Sequence, residues 1–185
     1  MENHFSEKSH SEQKNHFVIR NAIPSDAVGI IDCMQSVMSE KVYLVSEIYL
    51  YSERGQKDLI RNPDDLNLVA IIGNEIVGTI NVQRGIYKKN RHTANLGIAI
   101  KKQYREMGIG TELIKRAIKW AFEQNILKMN LEVFSSNEKA VSLYKKLGFE
   151  IEGVRRGQFV IENSFVDDVL MTIYPTEIDN NNDVK

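Results

Sequence analysis

The sequence predicts an α/β (α+β) fold with a mixed, mainly antiparallel sheet of six to seven strands and helices on both faces. Three observations lead to this prediction. Short β-branched apolar runs recur along the chain as candidate strands, and amphipathic stretches at helical spacing separate several of them. The second half alternates strand, helix, strand, helix and strand. With 185 residues and 42% apolar content, the chain can bury one sizeable core.

The first predicted elements are a strand and two helices. Residues 17–20 comprise three apolar residues, two of them β-branched, followed by Arg20, which favours a strand. Ser25 follows Pro24 and is placed to cap the helix that begins there. A second helix covers about residues 52–61 and ends before Pro63, because the residue before a proline avoids helical geometry. The predicted apolar face of the first helix comprises Val28, Ile31, Met34, Val37 and Met38.

A hairpin and an alternating series of elements follow. Gly73-Asn74 is a favourable two-residue turn between strands at residues 68–72 and 76–82. The later elements continue the same apolar periodicities. They are a strand near 94–101, a helix near 108–124, a strand at 128–134, a helix at 137–147, and strands near 149–157 and 164–174.

The chain ends are polar, so we expect disordered tails at residues 1–16 and 175–185 around one domain at residues 17–174. No apolar run approaches the roughly 18 residues of a membrane span, and no signal-peptide pattern opens the chain. Cys33 is the single cysteine, which excludes an intrachain disulfide and suits a reducing compartment. We therefore expect a cytoplasmic protein without membrane contact, with Cys33 buried in the first helix.

The net charge of −1 conceals an asymmetry. The segment from Lys88 to Lys119 contains nine Lys or Arg and two Glu. The segment from Glu150 to Lys185 contains eight Asp or Glu and three Lys or Arg. Each segment is either a solvated face or an electrostatic footprint, and the basic one suits a phosphate-bearing ligand. A nucleic-acid role is not expected, because the overall charge is near neutral and no motif combines basic and aromatic residues.

The most informative segment lies between the predicted strand 94–101 and the amphipathic helix that follows it. It contains Arg105, Gly108 and Gly110 in the pattern Arg-x-x-Gly-x-Gly. A glycine turn at a helix N-terminus gathers unpaired N–H groups and partial positive charge, and it lets a phosphate approach closely. The segment is therefore a candidate anion site, and an ordinary strand-to-helix turn is the alternative.

Two familiar phosphate loops do not fit this chain. The Walker pattern needs a lysine, but Thr79 directly follows the spacing from Gly73 to Gly78. The dinucleotide fingerprint needs a third glycine where Leu113 stands.

A second motif lies beyond the first, at residues 131–149. Its residues are Asn137, Ala140, Leu143, Tyr144, Gly148 and Phe149. In order and spacing, the two motifs resemble the GNAT superfamily of acyl-coenzyme A-dependent N-acyltransferases, whose loop reads Gln/Arg-x-x-Gly-x-Gly/Ala. The resemblance covers residues 17–174 and implies the GNAT fold, with acetyl-CoA as cosubstrate.

The resemblance also implies which residues bind the coenzyme. In this family the strand before the loop splays from its neighbour and frees its edge, which implies backbone contacts from Ile98, Ala99 and Ile100. Glu106 departs from the family, where glycine is frequent, and we expect its side chain to point to solvent. The implied coenzyme-binding residues are Ile98, Ala99, Ile100, Arg105, Glu106, Met107, Gly108, Ile109, Gly110, Thr111, Asn137 and Tyr144.

Acyl transfer to an amine needs a neutral amine and a proton for the departing thiolate. Tyr144 matches the family position of the general acid, and simple packing is the alternative. Glu132 matches a carboxylate that serves some members as base, and a surface role is the alternative. His92 is the only histidine beyond the N-terminal tail, so a metal site or a Cys–His nucleophile is not expected. Direct attack in a ternary complex is the implied mechanism.

The acceptor is the least determined part of the prediction. Residues 43–51, in the early helical region where family members diversify, contain three tyrosines and Glu47 and are expected to wall the acceptor site. A small-molecule amine, amino acid or polyamine is favoured. A protein N-terminal or ribosomal-protein acetyltransferase, a non-catalytic coenzyme A sensor and a purely structural domain are the alternatives, and a homodimer stays open.

Overall fold

The computed structural model describes residues 17–175, and within them the chain forms seven strands and four α-helices. The strands are β1 Val18–Asn21, β2 Leu66–Ile72, β3 Glu75–Arg84, β4 Thr93–Ile100, β5 Lys128–Phe134, β6 Glu150–Ile161 and β7 Ser164–Ile173. The helices are α1 Ala27–Met38, α2 Glu53–Arg61, α3 Ile109–Glu123 and α4 Glu138–Lys146. The tails predicted at residues 1–16 and 175–185 lie outside the described residues, except for Pro175.

The strands join in one sheet in the order β1-β2-β3-β4-β5-β7-β6. Every neighbouring pair is antiparallel except β4 and β5, which are parallel because α3 crosses between them. The prediction of a mixed, mainly antiparallel sheet is therefore confirmed. The turn at Gly73 and Asn74 also forms between β2 and β3, and Gly73 has a positive φ of 59°.

The two faces of the sheet carry different helices. Alternate β4 side chains, including Ala94 and Leu96, belong to the large buried cluster that contains the inner face of α3. On the opposite face, Lys101 at the end of β4 bonds Asp32 of α1. Cys33 of α1 is buried there, as predicted, against Val69 and Ile76. Helices therefore cover both faces, as the sequence predicts.

The start of α1 differs from the prediction. Ser25 is exposed and does not cap the helix, because Asp26 takes that position at the end of a short 3₁₀ turn. The Asp26 carboxylate accepts a hydrogen bond from the Ile23 N–H at 2.7 Å and two from Arg20 at 2.6 and 2.9 Å. These bonds hold β1 against the turn.

The buried face of α1 also differs from the predicted one. Val28 is 60% exposed, although the sequence places it on the apolar face. Gly29 brings the helix backbone close to Ile76, since a Cβ at Gly29 would lie 2.8 Å from that side chain. This close approach sets the rotation of the helix. The buried residues are Ala27, Ile30, Cys33, Val37 and Met38.

We predict that Asp26→Asn lowers the free energy of unfolding at pH 7 by about 1–2 kcal/mol, because it removes a charge-assisted pair. The Arg20 hydrogen bond chiefly lowers the pKa of Asp26 below its usual value, against the effect of burial. A depressed folded pKa stabilises the protein above the unfolded value of about 3.9, and this contribution is lost as pH falls through the folded value. Denaturation curves of the two proteins should therefore converge below about pH 4. Ser25→Ala is the matched control and should leave stability unchanged at every pH.

Candidate active site

The parallel strands β4 and β5 separate after a short paired stretch. Their register runs only from Thr93 opposite Lys128 to Asn95 opposite Asn130. Beyond this point β4 stays paired with β3 as far as Ile100, and β5 stays paired with β7 as far as Phe134. An opening therefore lies between the second halves of these two strands, as the family resemblance implies.

The backbone direction along β4 decides which groups face this opening. Thr93 accepts the Gly85 N–H, and Lys101 donates to Val77, so odd-numbered residues direct their backbone groups toward β3. Even-numbered residues point the other way, since backbone directions alternate along an antiparallel strand. The groups of Ile98 and Ile100 therefore face the opening. Those of Ala99, in register with Thr79, face β3, and we leave Ala99 out of the candidate contacts.

The loop after β4 presents a row of free backbone donors. From Glu106 to Thr111, six consecutive N–H groups have no hydrogen-bond acceptor within residues 17–175. The first intrahelical bond of α3 is donated by Glu112 to Gly108. The partial positive charge of the helix N-terminus adds to these donors, so the loop can hold a phosphate group.

Two residues of this loop adopt left-handed backbone angles. Gly108 has φ 84°, which a side chain would strain, although its Cβ would meet nothing within 4 Å. Glu106 has φ 65°, which accounts for the frequent glycine of the family at this position. Its side chain is exposed and forms an ion pair with Lys139 of α4. The carboxylate thus points to solvent, as we expected.

Gly110 is small for a different reason from Gly108. A Cβ at Gly110 would lie 3.2 Å from Ile100 and 3.4 Å from Leu143, whose side chains occupy the space beside it. The residue lets β4, α3 and α4 pack closely. It therefore acts through packing, in addition to offering its free N–H.

A cluster of ions around the buried Lys101 fixes the start of the loop. Lys101 is 6% exposed, and its Nζ bonds Asp32 at 2.5 Å and Glu75 at 2.6 Å. Tyr104 donates to the second oxygen of Glu75 at 2.8 Å. Burial opposes the charge of Lys101, but both carboxylates raise its pKa above the ordinary value. The loop is thereby anchored to α1 and β3.

The side chain of Arg105, which the motif predicts to bind the coenzyme, is engaged with protein groups. Its Nε donates to the Ile100 carbonyl at 3.0 Å. The rest of the guanidinium pairs with both carboxylate oxygens of Glu40 and lies 4.7 Å from the centre of the Tyr43 ring. Arg105 therefore faces the segment between α1 and α2, not solvent.

Tyr144 lies on the α3 face of the sheet. It belongs to the buried cluster that contains Leu131 and Val133 of β5, and its ring contacts Phe149 with centroids 5.8 Å apart. Its hydroxyl forms no hydrogen bond within residues 17–175. Burial raises the pKa of Tyr144 to about 12, so the phenol keeps its proton at neutral pH. Asn137 caps α4 by accepting the Ala140 N–H at 3.3 Å.

Glu132 lies on the opposite face, because it alternates with Leu131 and Val133 along β5. Its carboxylate is 60% exposed and pairs with Arg155 at 2.7 Å. Arg155 also bonds Asp168 of β7, which is only 1% exposed. The cation that pairs with Glu132, Arg155, therefore comes from β6 and not from β5 itself.

The face of Glu132 also carries an aromatic pair, and a long loop follows α1. Phe134 and Phe159 lie beside the Glu132 group with ring centroids 4.8 Å apart. Residues 39–52, which we name the α1–α2 segment, form neither helix nor strand, in contrast to the expected helical region. Gln35 of α1 holds this segment by accepting the Tyr49 N–H at 3.2 Å.

The structure does not bring His92 to this site. It precedes β4 at the end opposite the loop between β4 and α3, residues 101–108, which we name the phosphate loop. The eight-residue strand separates His92 from this loop by roughly 25 Å. Within residues 17–175, no group of three or more His, Cys, Asp or Glu is arranged to hold a metal ion. In the same range, every helix lacks the length and apolar character needed to span a membrane.

Comparison with known proteins identifies this architecture. The model of the acetyltransferase (GNAT) family matches residues 31–149. The chain belongs to the GNAT family. A GNAT acetyltransferase from Streptococcus pneumoniae has the same fold, with a TM-score of 0.81 and 30% identity over 86% of this chain and 99% of that one. The Salmonella typhimurium protein yncA, solved with its cofactor acetyl-CoA, gives a TM-score of 0.79 at 16% identity and covers 90% and 98%.

Curated relatives of this GNAT protein act on different acceptors. It is 28% identical to an Escherichia coli L-amino acid N-acetyltransferase over 60% of its own length and 70% of that enzyme. It is 34% identical to N-alpha-acetyltransferase 30 of Xenopus laevis, and the aligned region covers 54% of this chain and 37% of that protein. It is also 34% identical to an E. coli spermidine N(1)-acetyltransferase over 44% of each. The predicted family, enzyme class and acetyl-CoA dependence are confirmed at the level of the family.

Sequence reasoning missed two parts of this GNAT site. Glu40 carries no local signal, because its partner Arg105 lies 65 residues away. Asp168 carries a signal that could have been used, since a carboxylate between Val166 and Leu170 on one face of a strand needs a cation as partner when it is buried. That cation is Arg155.

We predict that Gly108→Ala weakens coenzyme A binding by about tenfold, or about 1.4 kcal/mol. A side chain at this left-handed φ strains the backbone and would reorient the free N–H groups of residues 106–111. Isothermal titration calorimetry measures this change. Gly73→Ala is the matched control, since Gly73 also has a left-handed φ and open space around its Cβ. It should lose similar stability and keep its affinity for coenzyme A. Equal affinities of all three proteins would contradict a phosphate site at this loop.

Proposed function

We propose that this protein transfers the acetyl group of acetyl-CoA to the primary amine of a small molecule by direct attack in a ternary complex. One observation carries the proposal: the opening between β4 and β5 lies between Tyr144 on one face of the sheet and Glu132 on the other. A group held in this opening is accessible to a proton donor from one side and to a base from the other.

The residues around the opening fit a coenzyme. The free N–H groups from Glu106 to Thr111 suit a pyrophosphate. The backbone groups of Ile98 and the N–H of Ile100 at the strand edge suit the amides of a pantetheine arm, whereas the Ile100 carbonyl is taken by Arg105. Asn137, which caps α4 through its side-chain oxygen, is also a candidate to hydrogen-bond the pantetheine arm. The bound acetyl-CoA supplies an activated thioester, and these protein groups orient it.

Tyr144 is the proposed general acid. A departing thiolate needs a proton, and a phenol with a pKa near 12 carries one throughout the neutral range. The ring is fixed by the core, while the hydroxyl has no partner within residues 17–175 and is free to donate. No buried side-chain nitrogen or oxygen within residues 17–175 lacks a partner, so the unbonded hydroxyl is accessible at the edge of the buried ring, where a ligand can meet it.

Glu132 is the proposed base, directly or through a water molecule. Its exposed carboxylate lies on the α1 face and pairs with Arg155 of β6, and we assign the acceptor to this side. Arg155 holds the carboxylate in place, and the nearby Asp168 makes this group of three residues net negative. An ammonium form of the acceptor is attracted by that charge and can release its proton there.

The acceptor class is supported by the relatives. The E. coli L-amino acid N-acetyltransferase matches the larger share of both chains, which favours a small amine such as an amino acid or polyamine. The similarity to N-alpha-acetyltransferase 30 favours a protein N-terminus as the second candidate.

A panel experiment tests the function. Purified protein is incubated with acetyl-CoA and amino acids, polyamines or peptides with free N-termini, and released thiol and acetylated product are both measured. Stoichiometric thiol and acetylated small amine support the proposal, and acetylated peptide alone supports the second candidate. Coenzyme A binding without product from any amine would contradict an acetyltransferase role.

We predict that Tyr144→Phe lowers kcat by about 10²–10⁴ on the best acceptor of the panel, the usual range for loss of a general acid. The ring and its contact with Phe149 remain, so coenzyme affinity and melting temperature should change little. Tyr87→Phe is the control, since Tyr87 is exposed in the β3–β4 connection. Full activity of Tyr144→Phe would assign this residue to packing.

We predict that Glu132→Gln lowers the rate most at neutral pH and that the defect becomes smaller as pH rises. A base is needed while the amine is protonated and becomes dispensable once free amine is abundant. The pH–rate profiles of both proteins measure this effect. A constant ratio across the pH range would exclude Glu132 as base.

A further inference from the structure

Arg105 connects two parts of the molecule that the motif alone does not relate. Its backbone belongs to the phosphate loop, and its Nε bonds the carbonyl of Ile100 at the edge of the β4–β5 opening. Its Nη1 donates to Glu40 at 2.9 Å, and its Nη2 pairs with the other oxygen of the same carboxylate. Tyr43 covers the guanidinium with its ring.

The charge of this arrangement argues against a side-chain phosphate ligand. The Glu40 side chain is 17% exposed and that of Arg105 is 27% exposed, so the pair is partly shielded from water. A bidentate carboxylate neutralises the guanidinium and occupies its planar fork. Binding a phosphate through this side chain would break the pair and leave Glu40 without its partner.

Glu40 and Tyr43 belong to the α1–α2 segment, which has no backbone ladder of its own. Gln35 bonds the later part of this segment, accepting from Tyr49 and donating to the Glu47 carbonyl. The earlier part is held by the Arg105 pair and by turn hydrogen bonds such as that from the Lys41 N–H to Met38. The position of the segment therefore depends on a side chain of the phosphate loop.

We propose that Arg105 is a positioning residue that holds the α1–α2 segment against the phosphate loop. A residue of the coenzyme-binding loop thereby helps to form the acceptor side of the site. This inference rests on the proposed function in assigning the segment to the acceptor. A bidentate pair with an aromatic cover specifies one geometry, which a simple charge does not.

The test compares Arg105→Ala, Arg105→Lys and Glu40→Gln, with Arg91→Ala as control because it removes the exposed Arg91–Asp64 pair elsewhere. The acceptor KM should rise by about tenfold or more in all three variants through lost positioning. The Kd of coenzyme A should change by less than about twofold, since the N–H row is retained. Arg105→Glu combined with Glu40→Arg should recover part of the loss. Arg91→Ala should match the natural protein.

Amide hydrogen exchange provides a readout that does not need an acceptor. Exchange in residues 39–52 should accelerate in Arg105→Ala and Glu40→Gln and stay unchanged in Arg91→Ala. Unchanged exchange in both variants would overturn the proposal. So would a large rise in the Kd of coenzyme A for Arg105→Ala that Glu40→Gln does not share, because this identifies Arg105 as a phosphate ligand. If the natural protein acetylates no amine, the proposed function fails, while exchange still tests the link.

Discussion

The site depends on two parallel strands that hydrogen-bond over three residue pairs and then part. β4 is held to β3 through Ile100, and β5 is held to β7 through Phe134, so each strand is fixed by its outer neighbour. The inner edges are left with backbone groups that have no strand partner, which is costly unless water or a ligand satisfies them. An opening through the sheet is thus maintained by the pairing on either side of it.

The phosphate loop extends this unpaired edge. β4 leads directly into the loop, so the groups of Ile98 and Ile100 and the N–H row from Glu106 to Thr111 belong to one continuous stretch of chain. The Lys101 cluster fixes the point where β4 passes into the loop, and left-handed angles at Glu106 and Gly108 turn the backbone into α3. The strand edge, the turn and the helix N-terminus together present backbone N–H groups that would be hydrogen-bonded to other backbone groups inside a regular strand or helix.

The elements were predictable from sequence because their signals are local. Apolar periodicity locates α3 and β5 within a residue or two, and the turn at Gly73 is specified by two adjacent residues. The cap of α1 was mispredicted because the helix begins after Asp26, and the Asp26 side chain bonds back to Ile23 and to Arg20 on β1 instead of capping the helix. The reason for Gly110 was also hidden, since it lies in the contact with Leu143 of a helix formed later in the chain. The candidate acid and base remain proposals, because their roles depend on molecules that bind the site.

The division of the site explains how one fold serves several acceptors. The family model ends at Phe149, directly before β6, whereas Arg155 and Asp168 lie on β6 and β7. The loop, the opening and Tyr144 fall inside the matched range. The coenzyme side is therefore built from the shared part of the chain, and the environment of Glu132 is built largely from the part outside it. Under the proposed function, acceptor preference can then change through β6 and β7 without disturbing the free N–H groups of residues 106–111. The α1–α2 segment differs from β6 and β7, because it lies inside the matched range and its Glu40 bonds Arg105 of the loop. A change of acceptor through the α1–α2 segment must either keep a carboxylate at that position or provide the guanidinium with another partner.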